Sequence, residues 1–166
     1  TPGGDGAVTV DIAAAVAQDL SGNDNAAAVQ FSIDYDGTSP TVGISSTETS
    51  PTGVSPIPVT VTFSEAVSGF ALVDLVVGGG SASNLLTSDN AVYTVDVTPS
   101  GQGTVTVDIA AGVATDAAGN DNTAAVQFSI DYDGTNPVPV ITSTASPGPT
   151  NGSPIPIEVD FGESVV

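Results

Sequence analysis

The chain has 166 residues, with 19 acidic side chains and no Lys, Arg or His, for a formal net charge of −19. That balance excludes nucleic acid and anionic membrane surfaces as partners, because both recruit Lys and Arg. With no Cys and no Lys, disulfides, side-chain salt bridges and isopeptide bonds are unavailable, yet 40% apolar residues in ordered alternation argue for a folded chain.

An internal repeat frames the elements. Residues 1–40, TPGGDGAVTVDIAAAVAQDLSGNDNAAAVQFSIDYDGTSP, align without gaps to residues 98–137, TPSGQGTVTVDIAAGVATDAAGNDNTAAVQFSIDYDGTNP, and most positions are identical. The shared string QFSIDYDGT ends at Thr38 and again at Thr135, a spacing close to the roughly 100 residues of a small β-sandwich. Farther on, SPIPVTVTFSEAV from Ser55 matches SPIPIEVDFGESV from Ser153. The expected division is a C-terminal part of one unit (1–37), a complete unit (38–133) and an N-terminal part of the next (134–166). The chain reads as a window of a longer secreted one.

Taken in chain order, the complete unit opens with a first strand expected near 41–45. Ile57, Val59, Val61 and Phe63 then alternate with Pro58, Thr60 and Thr62. A further strand is expected near 71–77, followed by a turn at GGGSAS. Tyr93, Val95 and Val97 alternate next, then Val105, Val107 and Ile109 after the turn TPSGQG, and last Val126, Phe128 and Ile130. Period two marks half-buried antiparallel strands. IAAGVA reads as a loop leaving a strand. About seven strands result, the count of an immunoglobulin-like sandwich.

The segments VTFSEAVSGF, YTVDVTP, GTVTVDIAAGVATDAAGN and FSIDYDGT resemble the bacterial immunoglobulin-like repeats of giant surface adhesins and extracellular fibres. The resemblance covers nearly the whole chain. It implies an all-β fold of immunoglobulin-like antiparallel sandwiches in tandem, extracellular or on the cell surface, mostly structural and often calcium-dependent. The total loss of Lys and Arg departs from that pattern.

Following the strands from pole to pole places three acidic segments together at the upper end of the complete unit. These are Asp34 and Asp36 from the incoming linker, Glu65 from the FSEAVSGF turn, and Asp116, Asn120 and Asp121 from the ATDAAGNDNT loop. Period two puts Asp34 and Asp36 on one face, with Tyr35 turned away; Tyr35 and Tyr132 are expected to pack at the joints. The same set recurs one unit on as Asp131, Asp133 and Glu163, and Asp19, Asn23 and Asp24 repeat the loop in the first copy. Calcium (Ca2+) takes six to eight oxygen ligands, and this cluster offers acids and amides without the His or Cys that zinc prefers. A hydrated, halophile-style acidic surface is the competing explanation. Asp74, Asp89, Asp96 and Asp108 read as outward strand or turn acids.

Catalysis has little to stand on. No His, Cys or Lys is present to build a nucleophile–base pair, and three Tyr without Trp make a poor sugar cleft. The expected role is a spacer of an adhesin or surface fibre whose joints are stiffened by calcium. Its partners are neighbouring modules of the same chain or other copies, with the ligand of any adhesive tip outside this segment. A self-assembling filament subunit and a ligand-binding module are the alternatives.

Overall fold

The alternation of β-branched residues builds strands wherever one face can be buried. In the computed structural model, which describes residues 1–145 and 148–165, a first pair is β1 (Gly6–Val10) and β2 (Phe31–Tyr35). Seven strands follow: β3 (Val42–Ser46), β4 (Ile57–Phe63), β5 (Leu75–Gly78), β6 (Gly80–Thr87), β7 (Val92–Pro99), β8 (Gly103–Ile109) and β9 (Phe128–Tyr132). A last pair is β10 (Val140–Thr142) and β11 (Glu158–Asp160). Of the expected third segment, residues 146, 147 and 166 lie outside the described ones.

The seven central strands form two antiparallel sheets, ordered β3-β4-β7-β6 and β5-β8-β9. Strands one, two, five and four thus share one sheet, and three, six and seven the other. That is the arrangement of a constant-type immunoglobulin sandwich. Their inward residues make one core: Ile57, Val59, Val61 and Phe63 from β4, Tyr93, Val95 and Val97 from β7, Val105, Val107 and Ile109 from β8, and Ile130 from β9. Burying each such side chain contributes about 1.5–3 kcal/mol, which must suffice in a chain without covalent cross-links.

Three details differ from the sequence expectation. Val126, expected in the last strand, lies before β9 and is 88% exposed. The strand expected near 71–77 starts only at Leu75. Leu72–Asp74 is a 3-10 turn, closed where the Ala71 N–H donates to the Asp74 carboxylate at 2.8 Å. The expected GGGSAS turn shrinks to Gly79, because β6 already begins at Gly80. Glycine lets the chain cross between sheet edges here. Gly79 has φ +70°, and a Cβ on Gly80 would lie 2.7 Å from the Thr98 carbonyl oxygen.

After β3 the chain passes to the other sheet, where Thr52 bridges Tyr132 in parallel. The Thr52 N–H donates to the Asp131 carbonyl (2.9 Å), and the Asp133 N–H donates to the Thr52 carbonyl (2.8 Å). This covers the outer edge of β9 just where the outgoing linker begins.

The β1–β2 pair repeats the register of β8–β9: Gly6 faces Tyr35 and Val10 faces Phe31, as Gly103 faces Tyr132 and Val107 faces Phe128. Burial differs. Val10 and Ile33 are 56% and 57% exposed, whereas their counterparts Val107 and Ile130 are 0% and 4% exposed.

Candidate metal centre

One pole of the sandwich is assembled by two loops and the incoming linker. The first loop, between β4 and β5, is anchored by an aromatic triad. Phe63, Phe70 and Tyr93 pack edge-to-face with centroids 5.0–5.9 Å apart, so the residues between the two Phe, including Glu65, are held over a rigid base.

The second loop, between β8 and β9, is braced from within by two polar side chains. Asn122, which is buried, accepts from the Val113 and Ala114 N–H groups (2.9 and 2.8 Å). Its amide donates to the Ala110 and Thr123 carbonyls (3.0 and 2.8 Å). Asp116 accepts on one oxygen from the N–H groups of Ala118, Gly119 and Asn120 (2.8, 2.7 and 2.9 Å), and on the other from the Asn120 amide (2.9 Å). Ser68 and Thr115 exchange backbone hydrogen bonds of 2.7 and 3.0 Å, which lock the two loops together.

The linker is tied to both loops. Thr123 N–H donates to the Pro40 carbonyl at 2.9 Å, and Ser64 N–H to the Thr41 carbonyl at 2.9 Å. The Asn120 amide also reaches the Asp36 carbonyl, at 3.2 Å. Tyr35 folds back over Gly37; a Cβ there would lie 2.6 Å from the Tyr35 hydroxyl, so a side chain at this position would displace the Tyr35 ring.

The result is a group of three carboxylates. Asp36, Glu65 and Asp116 each bring an oxygen to within 4.8 Å of the other two, Asp36 exposed, Glu65 half-buried and Asp116 buried. With no Lys, Arg or His in the chain, no cationic side chain neutralises them. At Glu65, removal from water is the largest influence, followed by the charges of Asp116, Asp36 and Asp5, and together they raise its pKa above the ordinary glutamate value. At Asp116, burial also pushes upward, but the Asn120 side chain and the three loop N–H donors outweigh it and leave the pKa lowered. A carboxylate has about four lone-pair sites, and the loop occupies most of those on Asp116. The donor set consists of oxygens alone, which suits a hard divalent cation such as calcium.

The other expected residues take different places. Asp34 lies in β2 opposite Ala7, and exposed Asp121 bridges Thr115; neither belongs to the three-carboxylate group. Asn120 serves as the tie between loop and linker. In the first copy, Asp19 accepts from the Ser21 and Asn23 N–H groups and from the Asn23 amide, each at 2.9 Å, as Asp116 does in the second. Asp24 accepts from the Gln18 amide at 2.7 Å. Asp131 accepts from the Thr104 hydroxyl at 2.7 Å and Asp133 from the Gln102 amide at 2.6 Å. Glu163 follows β11 and is exposed. Among the described residues, only Asp36, Glu65 and Asp116 gather in this way.

Sequence reasoning passed over Asn122 and Asp5. Asn122 stood inside GNDN, which reads as an ordinary turn, and the whole string recurs as residues 22–25, so its repetition did not single out Asn122. Asp5 sits one residue before β1, and antiparallel pairing of the TPGGDG and IDYDGT segments brings it to the linker.

No curated protein and no solved structure matches the chain. The bacterial Ig-like domain family matches residues 36–132, which is more than half of the chain and runs from the linker aspartate of the carboxylate group to the end of β9. The two-sheet topology and this match agree, and the chain belongs to the bacterial Ig-like domain family.

Proposed function

We propose that the chain is a structural spacer of an extracellular adhesin or surface fibre, made of tandem Ig-like modules whose joints calcium stiffens. Domains of this family are generally non-catalytic and often lie on the cell surface, which supports the coarser part. The division into 1–37, 38–133 and 134–166 belongs to the same proposal, with neighbouring modules or other copies as the partners. The observation that carries it is the meeting of Asp36 from the linker with Glu65 and Asp116 from the module it enters. A cation held by all three pins the linker to both loops and neutralises charge that otherwise drives them apart. Extracellular calcium modules bind with Kd of about 10⁻⁴–10⁻³ M, and a hundredfold excess over Kd adds about 2.7 kcal/mol of stability.

Calorimetric titration of the chain with calcium tests this. Asp36→Asn and Glu65→Gln should weaken binding, while Asp96→Ala, whose carboxylate accepts from the Asn84 amide on a strand face, should not. Equal affinity in all three variants would remove the site from this pole. A filament subunit completed by strands of another copy is the second reading, favoured by the exposed apolar side chains Val10, Phe31 and Ile33 on β1–β2. Sedimentation against concentration separates the two, since a spacer stays monomeric.

A further inference from the structure

Within a repeat whose linker string IDYDGT is shared, the position just before the paired strand changes chemistry: Asp5 in the first copy is Gln102 in the second. Both stand immediately before the strand that pairs with the outgoing one, β1 with β2 and β8 with β9. Both reach across to the linker. The Gly37 N–H donates to Asp5 Oδ1 at 2.7 Å, and the Thr38 hydroxyl donates to Asp5 Oδ2. The Gly134 N–H donates to Gln102 Oε1 at 2.7 Å, while the Gln102 amide donates to Asp133 Oδ1 at 2.6 Å and to the Thr135 hydroxyl. Each linker also makes its own Asx turn, from the Thr38 N–H to Asp36 and the Thr135 N–H to Asp133, both at 3.0 Å.

We propose that this residue is the positioning residue of each linker, and that the Asp5/Gln102 exchange makes the two linkers differently held. The shared half is acceptance from the glycine N–H, which fixes the direction in which the chain leaves the sandwich. The differing half is donation. A carboxylate has no proton to give at neutral pH, so Asp5 leaves the Asp36 carboxylate without a donor from this side and adds a negative charge that reaches Glu65. An amide donates and accepts at once, so Gln102 binds the Asp133 carboxylate directly and adds no charge. The first linker is held at two points with like charges adjacent, the second at three points with none added.

Amide hydrogen exchange and 15N relaxation in excess chelator test this without involving calcium, so the result is independent of the ion reading. In Asp5→Ala the Gly37 amide should exchange roughly three- to tenfold faster, as loss of one hydrogen bond implies, and Gln102→Ala should do the same at Gly134. The Val107 amide in β8 should not change. Gln102→Glu keeps the acceptor but not the donor, so it should restore protection at Gly134 while residues 133–135 stay more mobile than in the parent. Asp5→Gln should make residues 36–38 more ordered. Unchanged exchange at Gly37 and Gly134 in both alanine variants, or a Gln102→Glu variant no better than Gln102→Ala at Gly134, would overturn the assignment.

Discussion

Replacing Asn122 with alanine removes the brace of the β8–β9 loop. The side chain makes four hydrogen bonds of 2.8–3.0 Å to backbone groups, and its truncation leaves two N–H and two carbonyl groups without their partner. Each such bond has a net worth of about 1 kcal/mol, more where the orphaned group stays dry. Ala114 is buried, but Val113 is half-buried and Thr123 exposed, so water can recover part of the loss. The expected cost is about 2–4 kcal/mol, a large share of a typical stability of about 5–15 kcal/mol. At about 4–8 °C per kcal/mol for a domain of this size, the melting temperature of the sandwich should fall by roughly 8–32 °C. Asn122→Asp should be at least as damaging at neutral pH, because a carboxylate oxygen then faces the Ala110 and Thr123 carbonyls where the amide donated. Thermal melting by circular dichroism, with urea unfolding for the free energy, measures both. Asn25 makes the matching contacts to Val16, Ala17, Ala13 and Ala26 outside the sandwich, and Asn25→Ala should leave its melt within about 0.5 kcal/mol. A loss below about 1 kcal/mol in Asn122→Ala, or an Asn122→Asp variant as stable as the parent, would refute the brace.

The repeat supplies a second internal control: Ile109→Val in the core should cost about 0.5–1.5 kcal/mol in urea unfolding. Its counterpart Ile12, 54% exposed, should tolerate Ile12→Val with almost no change. In chelator, stability should rise on mild acidification. The raised pKa of Glu65 contributes stability that is full below the unfolded value, about 4.3, and lost as pH climbs through the folded value. Below about pH 3.9 the trend should reverse, because the lowered pKa values of Asp116 and Asp89 contribute stability that is lost as pH falls through them. Melts at about pH 7, 4.5 and 2.5 check the sequence of changes, and Glu65→Gln should flatten the first part; a chelated sample most stable at pH 7 would contradict it.

Much of the sandwich was legible because burial on one face writes itself as period two. Ile57 to Phe63 and Val105 to Ile109 alternate in sequence as they alternate in burial. The crossing at Gly79 was not legible, since three glycines in a row read as a turn and only the neighbouring Thr98 and Thr104 backbone explains why side chains are excluded there. Pole assignment from strand direction was enough to bring Asp36, Glu65 and Asp116 into view. The parity argument for Asp34 stops short for a local reason. β2 ends at Tyr35, and Asp36 already belongs to the Asx turn with Thr38, so the two aspartates do not continue one strand face. Asn122 and Asp5 were hidden because their roles lie in local hydrogen bonds, mostly to backbone groups, which leave no compositional mark.

The stiffened joint is tested most directly by small-angle scattering of the whole chain in saturating calcium and again in excess chelator. With the cation holding Asp36 to Glu65 and Asp116, the calcium profile should show the longer maximum dimension and the sharper decay of a rigid rod of modules. Chelation should shorten the mean end-to-end distance as the linker swings free. Superimposable profiles in the two conditions would contradict the calcium joint and leave the carboxylates as a hydrated acidic surface.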